Sequence, residues 1–246
     1  MRALELAIHQ RELRRFVATT QGCSGCEFAE RGLSFLDLQV ESVGDEHFPR
    51  EPWAVFCANH PTGGVDGLAM MHLLCRRYGG LRVPANDLLL VLPSLGEFLA
   101  PVDKHGSNWG RVASYSVMYD APVPILVFPA GRTGRIRGGA LREYPWDKAF
   151  VKYARRGGRR IVPVHISGRN STHFYAIHTL RRALGVDMNL EMLLLVDELF
   201  RQRGNTVRIS FGRAVDPGPA AGPQGDRAIA DRIRRQVERG RLGANP

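Results

Sequence analysis

The feature that most constrains this chain is the alternation of short, continuously apolar runs with longer stretches that read as helices. Trp53–Ala58, Pro124–Phe128 and Ile161–Ser167 are such runs, rich in Val, Ile and Phe, and Val207–Phe211 reads as a late strand. Runs with no polar alternate are what strands covered on both faces require. Asp66–Arg77, Leu88–Leu99, Trp109–Tyr119 and Asp147–Arg156 read as helices between them, and Leu81–Pro84 as a short strand. The alternation predicts an α/β fold: a central, largely parallel mixed sheet flanked by helices.

The remaining segments are placed around that core. Residues 1–20 set Leu4, Ile8, Phe16 and Val17 among Arg2, Arg11, Arg14 and Arg15, a basic amphipathic helix that either packs on the body or lies on a membrane surface. A second helical stretch follows the Gly22–Gly25 turn and leads into Leu38–Val43. Asp216–Gly225 reads as a linker, and a final helix is expected to be capped by Asp226 and to show Ile229, Ile233 and Val237 on one face. The predicted organisation is a single domain over 1–246, with an N-terminal helix (1–20), a core (30–215) and a linker plus C-terminal helix (216–246).

Composition narrows the function. The 246 residues are 44% hydrophobic and 24% charged, ordinary for a globular chain able to bury roughly 70–75% of its unfolded surface. No run reaches the roughly 18–20 apolar residues of a membrane span, and the N-terminus lacks the apolar middle of a secretory signal, so a cytoplasmic protein is expected. Thirty-four Lys and Arg against 24 Asp and Glu give a net charge of +10, which calls for a polyanionic partner. Aromatics are 8% and do not interleave with the basic residues as base-stacking readers need, so an anionic membrane surface is expected rather than nucleic acid. Cys23, Cys26, Cys57 and Cys75 are too sparse for a disulfide scaffold; reduced thiols and no metal site are expected.

Four blocks could carry chemistry. In Ala58-Asn59-His60-Pro61-Thr62-Gly63-Gly64-Val65-Asp66-Gly67 a buried strand gives way to a helix, the edge at which ligands bind in open α/β sheets. Two glycines let the turn fold tightly enough for Asp66 to return to His60. A carboxylate on one ring nitrogen leaves the other to take a proton from an attacking hydroxyl. Against this, Asp66 is also well placed merely to serve exposed amides in a first helical turn. Val127-Phe128-Pro129-Ala130-Gly131-Arg132-Thr133-Gly134-Arg135-Ile136-Arg137 is either a nest for phosphate or carboxylate or a solvated basic loop. It is not a Walker loop, and no Gly-x-Ser-x-Gly elbow occurs in the chain. Gly96-Glu97-Phe98-Leu99-Ala100-Pro101-Val102-Asp103-Lys104 delivers a lysine after an apolar stretch. In Ile161-Val162-Pro163-Val164-His165-Ile166-Ser167-Gly168-Arg169-Asn170-Ser171 the histidine reads as a core residue.

Together and in this order the blocks resemble the glycerolipid acyltransferase family. Asn59-His60-Pro61, Gly63-Gly64-Val65-Asp66-Gly67, Phe128-Pro129-Ala130-Gly131 and Pro163–Ser171 are most similar to its hemolysin-like branch, which includes O-acyltransferases of ornithine and glycine lipids. The likeness runs from about residue 30 through Val215. It implies His60 as general base, Asp66 as its partner, and Asn59, Lys104, Gly131, Arg132 and Arg135 as substrate-binding residues. It implies an acyl-CoA or acyl carrier protein donor, a lyso-lipid acceptor, no cofactor, and a peripheral place on the inner face of the cell membrane. Five residues separate His60 from Asp66, and Ala130 stands where the wider family has glutamate. Both departures suit the hemolysin-like branch and favour a lyso-amino-acid lipid over 1-acylglycerol 3-phosphate as acceptor. Two readings stand beside this one: a hydrolase using the same dyad with water, and a non-catalytic basic module.

Overall fold

The computed structural model describes residues 9–85, 92–101, 115–137, 139–185, 191–219, 222–240 and 242. The central sheet has five strands: β1 (Gln39–Val43), β2 (Ala54–Ala58), β5 (Ile125–Val127), β8 (Arg160–Ile166) and β9 (Thr206–Phe211), in the order β1-β9-β8-β2-β5. Three of its pairings are parallel (β1 with β9, β2 with β8, β2 with β5), and β8–β9 is antiparallel. This is the mixed, largely parallel sheet that the apolar runs predict. Two short pairs lie outside it: β3 (Val83–Ala85) with β4 (Leu99–Pro101), parallel, and β6 (Arg135–Arg137) with β7 (Ala140–Arg142), antiparallel.

Seven helices take bounds within the described residues: α1 (Gln10–Thr19), α2 (Gly25–Phe35), α3 (Gly64–Tyr78), α4 (Ala149–Arg156), α5 (Thr172–Ala183), α6 (Glu191–Arg201) and α7 (Gly222–Glu238). Strand β2 shows why two layers form. Ala54, Phe56 and Ala58 join one core with Phe28, Leu33, Met70 and Leu74 of α2 and α3. Val55 and Cys57 join a second core with Trp146, with Phe150 and Ala154 of α4, and with Ile233 and Val237 of α7. A period-two strand buried on both faces must be apolar at every position, and each of its five residues is.

Several expectations are corrected. Leu88–Leu99 is not a helix where it is described: Pro93–Leu95 is one 3-10 turn and Leu99 pairs with Val83. Pro93 and Pro101 each lack a backbone donor, and pairing with β3 supplies what a helix there would not. Of the helix expected over Trp109–Tyr119, residues 109–114 lie outside the described residues, and 115–120 are helical. The last helix begins at Gly222, with Pro223 in its first turn where no donor is needed. Asp226 is therefore inside the helix rather than its cap, buried and paired with Arg155 Nη1 at 2.7 Å. The cysteines are not all reduced: Cys26 is bonded to Cys75, 49 positions away, joining α2 to α3. Cys23 and Cys57 are free and buried. Helix α1 packs on the body, Phe16 meeting the rings of Phe28 and Phe35 at 5.2 and 5.0 Å.

Candidate active site

Because β2, β5 and β8 are mutually parallel neighbours, their C-terminal ends share one edge. The loops that follow them, 59–63, 128–134 and 167–171, meet there, at the position open α/β sheets use for ligands.

The β2 loop is built around Asp66, which is fully buried in the first turn of α3. One carboxylate oxygen, Oδ2, accepts from Thr62 N and Gly63 N, each at 2.9 Å, and Oδ1 accepts from the Thr62 hydroxyl at 2.5 Å. Gly63 holds φ 97° and ψ −113°, a region open to glycine and not to residues with a Cβ. That turn brings His60 back so that its Nδ1 lies 3.0 Å from Asp66 Oδ2. The contact has the length of a hydrogen bond without its alignment, and Nδ1 is buried with no other partner among the described residues. A carboxylate is acceptor-only, so a hydrogen bond across this contact would place the proton on Nδ1 and leave Nε2 as the acceptor nitrogen. Asp66 thus does both things the sequence allows: it caps the helix and faces the imidazole.

Two contacts from distant segments fix His60 further. Its ring stacks on Phe128 at the end of β5, centroids 4.2 Å apart. Its backbone N–H donates to Glu143 Oε1 at 2.6 Å, while Glu143 Oε2 accepts from the Trp146 indole at 2.7 Å. Burial pushes the Glu143 carboxyl up from its ordinary value; the hydrogen bonds from His60 and Trp146 pull the other way. The sequence motifs include Phe128 and Thr62 without giving either side chain a role, and they do not include Glu143. Thr62 was findable as a hydroxyl inside the His60–Asp66 turn; Glu143 carries no local signal.

The other predicted residues divide. Gly131 is in the left-handed region at φ 65°, its N–H closing a turn onto Phe128 O at 2.9 Å, with open space where a side chain would stand. Arg132 is exposed and lies over the Tyr144 ring at 4.7 Å; Arg137 lies over the same ring at 4.8 Å. Asn59 and Arg135 have internal holding roles. Asn59 bridges the ends of β2 and β8, donating to Ile166 O at 2.8 Å and accepting from Ile166 N at 2.7 Å. Arg135 is buried, donates to Thr133 O and Gly134 O at 2.8 and 3.0 Å, and lies over the Phe174 ring. Lys104 lies outside the described residues. His165 is the core residue expected, its Nδ1 at 2.9 Å from Val237 O. A cleft of about 650 Å³ opens elsewhere, lined by Phe16, Glu27 and Phe35 among others. It touches none of these groups.

The family model described as Acyltransferase matches residues 1–240. The chain belongs to the acyltransferase family. Two curated relatives are each named "Lyso-glycine lipid O-acyltransferase". The one from Bacteroides thetaiotaomicron is 35% identical over 217 residues, covering 86% of this chain and 79% of its own. The one from Phocaeicola vulgatus is 35% identical over 217 residues, with 86% and 77% covered. Among solved structures, the 1-acyl-sn-glycerophosphate (LPA) acyltransferase PlsC from Thermotoga maritima superposes with a TM-score of 0.55 at 15% identity, over 90% of this chain and 80% of that one. That likeness shows the acyltransferase fold. This acyltransferase therefore carries the expected α/β architecture, with His60 and Asp66 at the strand-end edge.

Proposed function

We propose that this acyltransferase moves a fatty acyl group from a thioester, on coenzyme A or acyl carrier protein, to the hydroxyl of a lyso-amino-acid lipid of the glycine- or ornithine-lipid type. The observation that carries the mechanism is the 3.0 Å approach of His60 Nδ1 to the buried Asp66 carboxylate. Nε2 takes the acceptor's hydroxyl proton as that oxygen attacks the thioester carbonyl carbon. The tetrahedral adduct collapses with cleavage of the C–S bond, and the imidazolium returns the proton to the leaving sulfur. The products are an ester and a thiol, with no acyl-enzyme. A base of this kind contributes roughly 10²–10⁴-fold, and holding both substrates in line supplies the rest.

The lyso-lipid acceptor is supported by the two relatives at 35% identity. Exposed Arg132, beside the open space at Gly131, is placed to meet an anionic group of either substrate. The net charge of +10 supports peripheral binding to an anionic membrane, on the inner face of the cell membrane. Among the described residues no helix is long and apolar enough to cross one.

The test is incubation of wild type and His60→Ala with labelled acyl-CoA or acyl carrier protein and a panel of lyso-glycine lipid, lyso-ornithine lipid and 1-acylglycerol 3-phosphate in vesicles. Transfer to an amino-acid lipid by wild type, lost in His60→Ala, is the expected result. Equal transfer by both proteins overturns the mechanism. Thioester loss without lipid product makes the enzyme a hydrolase.

A further inference from the structure

We infer that Glu143 is a positioning residue for the reaction: its half-buried carboxylate anchors the main chain of His60 to the core through Trp146 and so fixes where Nε2 stands. The inference rests on His60 being the base. Three observations carry it. The Glu143 carboxylate is used at both oxygens, by the His60 N–H at 2.6 Å and by the Trp146 indole N–H at 2.7 Å. Trp146 is itself buried in the second core, 1% exposed, with its carbonyl accepting from Arg227 at 2.6 Å on α7. Among the described residues the His60 main-chain N–H has Glu143 as its one acceptor, since it sits just past the end of β2, where the ladder no longer supplies acceptors. Without Glu143 the peptide carrying the base would lose its tether.

The arrangement also explains why the acid comes from this part of the chain. Glu143 follows β7 directly, and the Arg137 guanidinium donates to its carbonyl. Arg137 and Arg132 both lie over Tyr144, the next residue. One short segment therefore ties the arginine loop, at which an anionic substrate group would bind, to the peptide that carries the base. Asp66 orients the ring; Glu143 places the backbone from which the ring hangs. Burial pushes the Glu143 carboxyl up, a desolvation cost that its two hydrogen bonds offset only in part and that a surface glutamate would not incur.

The test compares steady-state kinetics of His60→Ala, Glu143→Ala and Glu143→Gln in the full chain. A displacement near 1 Å of a reacting group can cost about 10²-fold. Glu143→Ala is expected to lower kcat about 10²-fold with both KM values within about threefold. Glu143→Gln, which keeps an oxygen for the His60 N–H, restores kcat to within about tenfold of wild type. In amide NMR spectra the His60 N–H resonance, shifted downfield by its short bond to a carboxylate, moves upfield in Glu143→Ala while amides along α3 hold their positions. Wild-type kcat in Glu143→Ala beside an inactive His60→Ala overturns the inference. So does a rise in KM with kcat unchanged. An active His60→Ala overturns the underlying mechanism instead. Should Glu143→Ala fail to fold, Glu143→Asp decides: one methylene shorter, it keeps the charge but does not reach the amide, and unchanged kcat in it overturns the inference.

Discussion

Replacing Asp66 by asparagine separates the charge of the carboxylate from its structural role. The carboxamide oxygen can take the place of Oδ2 and still accept from Thr62 N and Gly63 N, while the amide nitrogen faces the Thr62 hydroxyl, which turns to accept. The turn therefore survives. What disappears is the negative charge beside His60 as its ring becomes an imidazolium. Nδ1 and Oδ2 are 3.0 Å apart, Asp66 is fully buried and 21% of the His60 side chain is exposed, so the charge centres sit about 4 Å apart at an effective dielectric of about 20. The interaction is then about 4 kcal/mol, and about half of that if the proton is half transferred in the transition state. At 1.36 kcal/mol per tenfold, kcat/KM for Asp66→Asn falls about 30- to 10³-fold. Loss of charge assistance in the turn costs a further 1–3 kcal/mol or so of stability. Initial rates of labelled acyl transfer, with circular dichroism to verify folding, measure both. A folded Asp66→Asn within threefold of wild-type kcat/KM would refute the dyad.

Other expectations follow from the same structure. Gly63→Ala forces a Cβ into φ 97°, 3.3 Å from Leu195 Cδ2, and is expected to cost roughly 1–3 kcal/mol, read as a fall in thermal midpoint with a fall in kcat as the His60–Asp66 approach opens. Reducing the Cys26–Cys75 bond, or replacing both cysteines by serine, releases a loop spanning 49 positions and is expected to lower stability by about 2–4 kcal/mol while leaving kcat intact below the unfolding transition; urea titration of both forms checks this. Burial lowers the His165 pKa below its ordinary value, so the folded state binds its proton less readily than the unfolded one. Its contribution is complete above about pH 6.5 and is lost as the pH falls through the depressed folded value; His165→Gln flattens that part of the stability curve.

Much of the framework was legible because its causes are local. The turn from His60 to Asp66 closes through hydrogen bonds spanning three or four positions and one glycine with positive φ, so spacing and residue type suffice to expect it. The apolar runs of β2 and β5 had to be strands covered on both faces, since a short run with no polar alternate has no face to give to water. What the chain could not announce is which distant groups meet. Glu143 reaches His60 across 83 positions, Asn59 reaches Ile166 across 107, and Cys26 finds Cys75 only because α2 packs on α3. None of these leaves a periodicity or a turn signature. The same holds for Arg135, which reads as a ligand-binding arginine in its loop but is drawn into the protein by the Thr133 and Gly134 carbonyls and the Phe174 ring. Local hydrogen bonding and burial periodicity specify the turn that brings His60 to Asp66; packing of the layers alone decides what holds it in place.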